Sequence, residues 1–323
     1  MAGFAITATT DFIIQTNLPT SLSFAAKQTS LYYSGAVAFG ITSANTVGYA
    51  SVTIPAQKLT MIGVQFADVD GTSAISVQDL FKDPLGQGLT GATGAANADQ
   101  LMYWDPNEAG SYVILYLYDS TLTSSAAMQR KNKWLTSSKP TDTSWGTAVN
   151  SISAKALTSG MGLWLSRKTF DSPITLNMAG GAVKAAEGRS ITVREGLTMI
   201  SGGFSTGFAP NPDVAGTGDA IDWLSKGCIG ATGAANADQL MFWDPTEAGS
   251  YVTLYLYNST LTSSAALQRK NKWLTSSKPT DTSWGTAVNS ISPKVIPMGR
   301  GIWYRRKAGE GSLTFTLPQP YSL

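Results

Sequence analysis

The residues best spaced for chemistry lie in one acidic run. Asp68, Asp70, Thr72, Ser76 and Asp79 fall at positions 1, 3, 5, 9 and 12 of a twelve-residue calcium loop. Oxygen ligands at those steps suit a hard divalent cation, so calcium is the one cofactor the sequence offers. Two positions depart from the pattern. Ser73 stands where the turn needs glycine, and Asp79 is shorter than the usual bidentate glutamate. A polar turn leading into a short helix is the favoured reading.

Other chemistry is thinner. The 323 residues contain no histidine and one cysteine, Cys228. That excludes Ser-His-Asp and Cys-His nucleophiles, His-ligated zinc and an intrachain disulfide. Cys228 reads as a small buried apolar residue. Carboxylates such as Asp99, Asp105 and Glu108 recur, but nothing in linear order sets two of them across a cleft. Gly91-Ala-Thr-Gly94 lacks the lysine and helix of a phosphate loop and reads as a turn. Arg130-Lys-Asn-Lys133 precedes Trp134, and Arg269-Lys-Asn-Lys272 precedes Trp273. Basic residues beside an aromatic can grip single strands. A net charge of +2 gives no footprint for nucleic acid, so a solvated surface is favoured. The expectation is a non-enzymatic protein.

These residues sit inside a duplication. Gly91 to Ser153 recurs from Gly230 to Ser292, with about nine positions in ten identical, and a repeat of this length is a small domain. The match extends outward. Gly162-Leu-Trp-Leu-Ser-Arg-Lys168 answers Gly301-Ile-Trp-Tyr-Arg-Arg-Lys307, and Leu59-Thr-Met-Ile62 answers Leu197-Thr-Met-Ile200 with a slip of one residue. The expected boundaries are an N-terminal arm at 1–44, one module at 45–182 and its duplicate at 183–323.

Strand patterning dominates. In Ser111-Tyr-Val-Ile-Leu-Tyr-Leu-Tyr118, Val113, Leu115 and Leu117 alternate with Tyr112, Ile114, Tyr116 and Tyr118. The second copy replaces Ile114 with Thr253. A polar residue tolerated on the tyrosine side assigns Val/Leu to the core and leaves the tyrosines at least partly accessible. Asp105-Pro-Asn-Glu-Ala-Gly110 and Asp244-Pro-Thr-Glu-Ala-Gly249 read as hairpin loops. Helix is scarce, with short candidates at Val77–Lys82 and Asp219–Lys226. The fold class expected is all-β, two tandem antiparallel β-sandwich modules plus a strand-like arm. Tryptophans pair across the copies as Trp104 with Trp243, Trp134 with Trp273, Trp145 with Trp284 and Trp164 with Trp303. Core packing is their favoured role over carbohydrate stacking.

Asn45-Thr-Val-Gly-Tyr49, Leu59-Thr-Met-Ile62, Asp99-Gln-Leu-Met-Tyr-Trp104 and Gly160-Met-Gly-Leu-Trp-Leu-Ser-Arg167 carry a resemblance, as do Asp238–Trp243 and Gly299–Arg306 in the second copy. The chain resembles secreted β-rich proteins of the Planctomycetes–Verrucomicrobia group. In those, an NVVGY strand leads to L-x-M-I, DQ-x-x-x-W and G-x-G-x-x-x-x-R segments. The resemblance implies an exported or surface protein and no particular chemistry. The acidic run separately resembles dockerin-type loops.

Charged residues make up only 14% of the chain, well below the usual quarter. That suits a surface that packs on copies of itself or lies outside the cell. No apolar run approaches a membrane helix. The first basic residue is Lys27, so the start lacks the charged region of a secretory signal. The leading expectation is a structural protein that self-assembles into an extracellular filament, sheath or surface layer. Its partner would be a second copy of itself. The arm would cover an edge of the first module or add a strand to a neighbour; on the assembly reading Phe12, Ile13 and Ile14 anchor it, and Tyr112, Tyr116, Tyr118, Tyr251, Tyr255 and Tyr257 make lateral contacts. The alternative is a bivalent carbohydrate- or surface-binding protein. Neither reading involves nucleic acid or a membrane span.

Overall fold

The computed structural model describes residues 12–18, 21–26, 39–42, 47–56, 58–68, 74–105, 108, 111–185, 187–244, 247 and 250–321. The chain divides into two compact units, Met1–Thr46 and Val47–Leu323. The first boundary therefore falls two residues beyond the expected arm. The protein is all-β, with antiparallel sheets and short helices.

The N-terminal unit holds β1 (Phe12–Leu18), β2 (Ser21–Ala26) and β3 (Phe39–Thr42) in one antiparallel sheet, with β2 central. Ile14 pairs with Phe24, and Phe24 with Phe39.

The second unit contains both copies. Copy one supplies β4 (Val47–Ile54), β5 (Leu59–Gly63), β6 (Ile75–Ser76), β7 (Gln100–Asp105), β8 (Ser111–Tyr118), β9 (Lys133–Thr136), β10 (Ala156–Leu157), β11 (Gly162–Ser166) and β12 (Ile174–Gly181). Copy two supplies β13 (Arg189–Val193), β14 (Gly196–Ile200), β15 (Gln239–Asp244), β16 (Ser250–Leu256), β17 (Trp273–Thr275), β18 (Ile302–Arg306) and β19 (Leu313–Leu317). Each copy builds a five-stranded sheet of the same order, β5-β11-β7-β8-β9 and β14-β18-β15-β16-β17. Each adds a two-stranded ribbon, β4-β12 or β13-β19.

Alternation decides how these layers pack. Val113, Leu115 and Leu117 face the first core with Leu101, Leu163 and Leu165, and the ribbon closes it with Val52, Ile54, Leu176 and Met178. Val252, Leu254 and Leu256 face the second core, which Ile191, Val193, Phe315 and Leu317 close. Period-2 burial on a two-layer core is what the strand pattern requires.

Two short helices escaped the sequence pattern. Ser125–Arg130 and Ser264–Arg269 are each capped by a serine, Ser124 or Ser263, whose hydroxyl accepts from the backbone N–H three residues on. Of the expected helices, Val77–Leu80 forms. Asp219–Lys226 does not, and the helical turn in that region is Pro212–Ala215, where Pro212 opens the first turn and Gly216 ends it in the left-handed region at φ 70°.

Candidate functional site

The face opposite each core is covered twice. At one end Tyr116, Tyr118 and Leu135 lie beneath Ala92, Ala95 and Ala98. The glycine-rich turn does this work: Ala92 bridges Tyr118 in parallel, and a 3-10 turn follows at Ala95–Asn97. Copy two repeats it with Tyr255, Tyr257 and Ala231. At the other end Met61, Met102, Trp104, Tyr112 and Trp164 meet Met199, Met241, Trp243, Tyr251 and Trp303. The two sheets thus back onto each other through a methionine–aromatic seam.

The expected accessible tyrosine face is therefore corrected. Tyr116, Tyr118, Tyr255 and Tyr257 are buried at 8% exposure or less. Tyr116 Oη donates to Asn150 Oδ1 at 3.0 Å, and Tyr255 to Asn289 at 3.0 Å. Tyr112 and Tyr251 are half-buried in the seam. Alternation separates two faces but does not report what covers the second one.

The seam has two-fold character. Ile62 bridges Arg300 while Met161 bridges Ile200, and Ile62 and Ile200 are copies of one position. Gly63 N donates to Gly299 O at 2.8 Å, and Ser201 N donates to Gly160 O at 2.7 Å. Each copy thus presents the same patch to the other, as an isologous dimer does. Glycine permits the approach. A Cβ on Gly162 would lie 2.9 Å from Ile200 O, and one on Gly301 2.7 Å from Ile62 O.

The carboxylates have structural partners. Glu108 accepts from the backbone of Thr141 at 3.0 Å and Asp142 at 2.8 Å. Asp142 pairs with Lys155 at 2.6 Å, and Lys155 Nζ sits 4.8 Å from the Trp145 ring centroid. The Trp145 indole N–H donates to buried Asp105 at 3.2 Å. Copy two repeats all of this with Glu247, Asp281, Lys294, Trp284 and Asp244. The Lys155 and Lys294 ammonium groups hold the Asp142 and Asp281 carboxyls down to about 2, unsuited to giving up a proton as a general acid near neutrality.

Buried Asp99 accepts from the backbone of Thr90 and Lys168, and copy two adds side-chain donors at the equivalent place. Asp238 is fully buried and accepts from Tyr304 Oη at 2.6 Å, Arg306 Nη1 at 2.7 Å and the backbone of Lys307 and Ile229. Cys228 stands beside Tyr304, and burial pushes its thiol up to about 11. Such a thiol is inert rather than nucleophilic.

The remaining expected sites resolve as follows. Asp79 and Ser76 hydrogen-bond each other at the start of a helix. Asp68 is half-buried, and Asp70 lies outside the described residues. Among the described residues no three His, Cys, Asp or Glu side chains converge on a metal position, and no helix is long and apolar enough to cross a membrane. Phe12, Ile13 and Ile14 belong to β1, and their side chains lie outside the described residues. Six of the eight paired tryptophans are buried, and Trp104 and Trp243 are half-buried.

Among the described residues, cavities open on this frame. One of about 400 Å³ lies between the copies, with Tyr103, Trp104, Asp142, Lys155, Arg194 and Glu195 at its wall. A larger one of about 780 Å³ belongs to copy two alone. No protein-family model, curated protein or solved structure matches the chain.

Proposed function

We propose that this chain is a non-enzymatic structural subunit that self-assembles outside the cell into a filament, sheath or surface layer. One observation carries the reading. The duplicated patch is spent inside the chain: each copy satisfies the other across the two-fold seam. An isologous contact closes and does not propagate. Propagation must then come from an element present once, and the N-terminal unit Met1–Thr46 is compact, strand-built and outside the duplication. Head-to-tail contact between duplicated faces is the weaker route for the same reason.

Supporting features are the low charge, 14%, and the engagement of the carboxylates in structural pairs. The resemblance to secreted proteins fits export. Bivalent glycan binding is less well supported, because stacking needs open indole faces and six of the paired tryptophans are buried.

Negative-stain electron microscopy of the full chain across a concentration series tests the proposal. Regular assemblies are expected. They should disappear in Ile14→Pro, which removes a ladder donor from β1. Dispersed monomers at every concentration would overturn it.

A further inference from the structure

The two copies differ at one point beside the seam. Met161 and Arg300 occupy the same position, one residue before Gly162 and Gly301, and the same turn sets both. Met161 N donates to Thr158 O at 3.1 Å, and Arg300 N donates to Pro297 O at 3.2 Å. Their side chains part there. Thr158 N donates to Met161 Sδ at 3.3 Å, which folds the thioether back onto its own turn. Pro297 has no N–H to offer, and Arg300 reaches instead over the Phe242 ring, its guanidinium carbon 5.8 Å from the centroid. That is cation–π range. Burial pushes the Arg300 pKa down, and the Asp244 carboxylate opposes the fall. In copy two, then, a guanidinium fills a place made by an aromatic face and a buried carboxylate.

Copy one rebuilds that place with methionine for arginine. Tyr103 stands for Phe242 and stacks on Trp145 at 5.3 Å, as Phe242 packs on Trp284 at 5.1 Å. Asp105 stands for Asp244 and accepts the equivalent indole N–H. Tyr103 is half-buried, whereas Phe242 is 7% exposed. Tyr103, Asp105 and Met161 all line the cleft of about 400 Å³ between the copies, a volume within the roughly 300–1,000 Å³ of small-molecule sites.

The charge of the cleft suits a cation. Its wall carries three carboxylates, Asp105, Asp142 and Glu195, against two cations, Lys155 and Arg194. Lys155 is committed to Asp142 at 2.6 Å and to the Trp145 ring. Arg194 stands exposed at the corner between β13 and β14. Burial raises the pKa of the Tyr103 hydroxyl, Asp105 raises it further, and Arg194 opposes them less strongly. Negative charge thus outweighs positive beside the Tyr103 ring.

We propose that this cleft binds a guanidinium-bearing ligand, seated over Tyr103 with Asp105 as its counter-charge, as Arg300 is seated over Phe242 with Asp244. The ring and the carboxylate act together: the aromatic face attracts the flat cation, and the carboxylate makes charge a condition of binding. The site does not depend on self-assembly.

NMR of the full chain with methyl-labelled methionine tests it, with L-argininamide as the probe. The Met161 methyl should shift saturably with L-argininamide and stay still with the uncharged isostere L-citrullinamide. Met161→Arg supplies the guanidinium from within the chain. It should abolish saturation transfer to the probe at an unchanged melting temperature. Arg300→Met opens the second place, so the methyl that it introduces should shift as well, and this variant carries the test if Met161→Arg fails to fold. A Met161 methyl that does not move, an equal response to both probes, or transfer that persists in folded Met161→Arg would overturn the site. An unmoved methyl in Arg300→Met would overturn the likeness on which it rests. So would binding that appears only in Arg194→Ala, because Arg194 would then already fill the place. The tripeptide Gly-Arg-Gly separates the sources. Tighter binding than L-argininamide assigns an arginine on a protein chain, and equal or weaker binding assigns a free guanidinium compound.

Discussion

Trp164 and Trp303 occupy the same position in the two copies and touch each other, edge to face, with ring centroids 6.4 Å apart. A residue that meets its own duplicate lies close to a two-fold axis, so the seam is an intramolecular version of a homodimer interface. Close backbone approach around the axis depends on glycine. Gly162→Val and Gly301→Val should each destabilise the fold by about 3 kcal/mol, the upper range for overpacking, because the backbone of Ile200 or Ile62, which cannot swing away, stands in the path, joined at Gly301 by the Met61 side chain. Urea unfolding of both variants should give similar losses. A neutral result at either position would mean that the seam relaxes freely.

Asn211 and Gln78 hold the same joint by different lengths of side chain. Asn211 Nδ2 donates to Trp273 O and Ser292 O, and its Oδ1 accepts from Trp273 N, all at 2.9 Å. Gln78 makes the same three bonds to Trp134 and Ser153. Asn211 is only 2% exposed, whereas Gln78 is half-buried. Asn211→Ala leaves three backbone groups buried and unpaired, and should cost roughly 3 kcal/mol. Gln78→Ala should cost about half as much, since Gln78 itself is half-buried and water can enter where its side chain is removed. Equal losses in denaturant unfolding would contradict the difference in burial.

That joint shows where sequence reading stops. The near-identical segments give the strands, the hairpins and the inward Val/Leu face directly, because period-2 burial is local. Gln78 and Asn211 align poorly because copy one is longer between Phe66 and Ile75, and copy two between Asn211 and Leu224. The tyrosines misled for another reason. Their cover comes from the turn at Gly91 and from the opposite copy, and a strand's own alternation carries no record of either. The seam was legible only as paired tryptophans of unknown setting.

Tyr116→Ala should act on stability and not on lateral association. Its ring is buried beneath Ala92 and Ala95, and its hydroxyl holds Asn150, whose φ of 62° marks a turn that favours asparagine. Truncation should cost about 3 kcal/mol or more by opening a cavity. Calorimetry on Tyr116→Ala and Tyr116→Phe checks this. The phenylalanine variant should lose only about 1 kcal/mol, the hydrogen bond alone.

Acid should weaken the two carboxylate–lysine pairs together. Asp142 and Asp281 are held down to about 2 by Lys155 and Lys294, against an unfolded value near 3.8. A depressed folded value means the contribution is complete above about pH 4 and is lost as pH falls through about 2. The carboxylates are 31% and 29% exposed, so screening limits each to about 1 kcal/mol. Unfolding free energy measured from pH 5 to pH 2 should fall less in Asp142→Asn/Asp281→Asn than in the wild type. Parallel slopes would remove these pairs from the acid response.

Cys228 and Tyr304 replace Leu89 and Leu165 of the first copy, so the chain contains both states of a coupled pair. A smaller residue at one position accompanies a larger one at the other, a volume-conserving exchange that cores tolerate best. Cys228→Leu alone should overpack against Tyr304 and cost about 2 kcal/mol. Tyr304→Leu alone should cost more, because it opens space beside Cys228 and removes the hydroxyl that donates to buried Asp238 at 2.6 Å. The double substitution rebuilds the first copy's packing and should recover part of the loss. In a double-mutant cycle the coupling should then favour the double variant by about 1 kcal/mol or more. Strict additivity would show that the two positions changed independently. The native thiol gives a second readout, since a buried group with its pKa raised to about 11 should resist iodoacetamide at pH 8 until the chain unfolds.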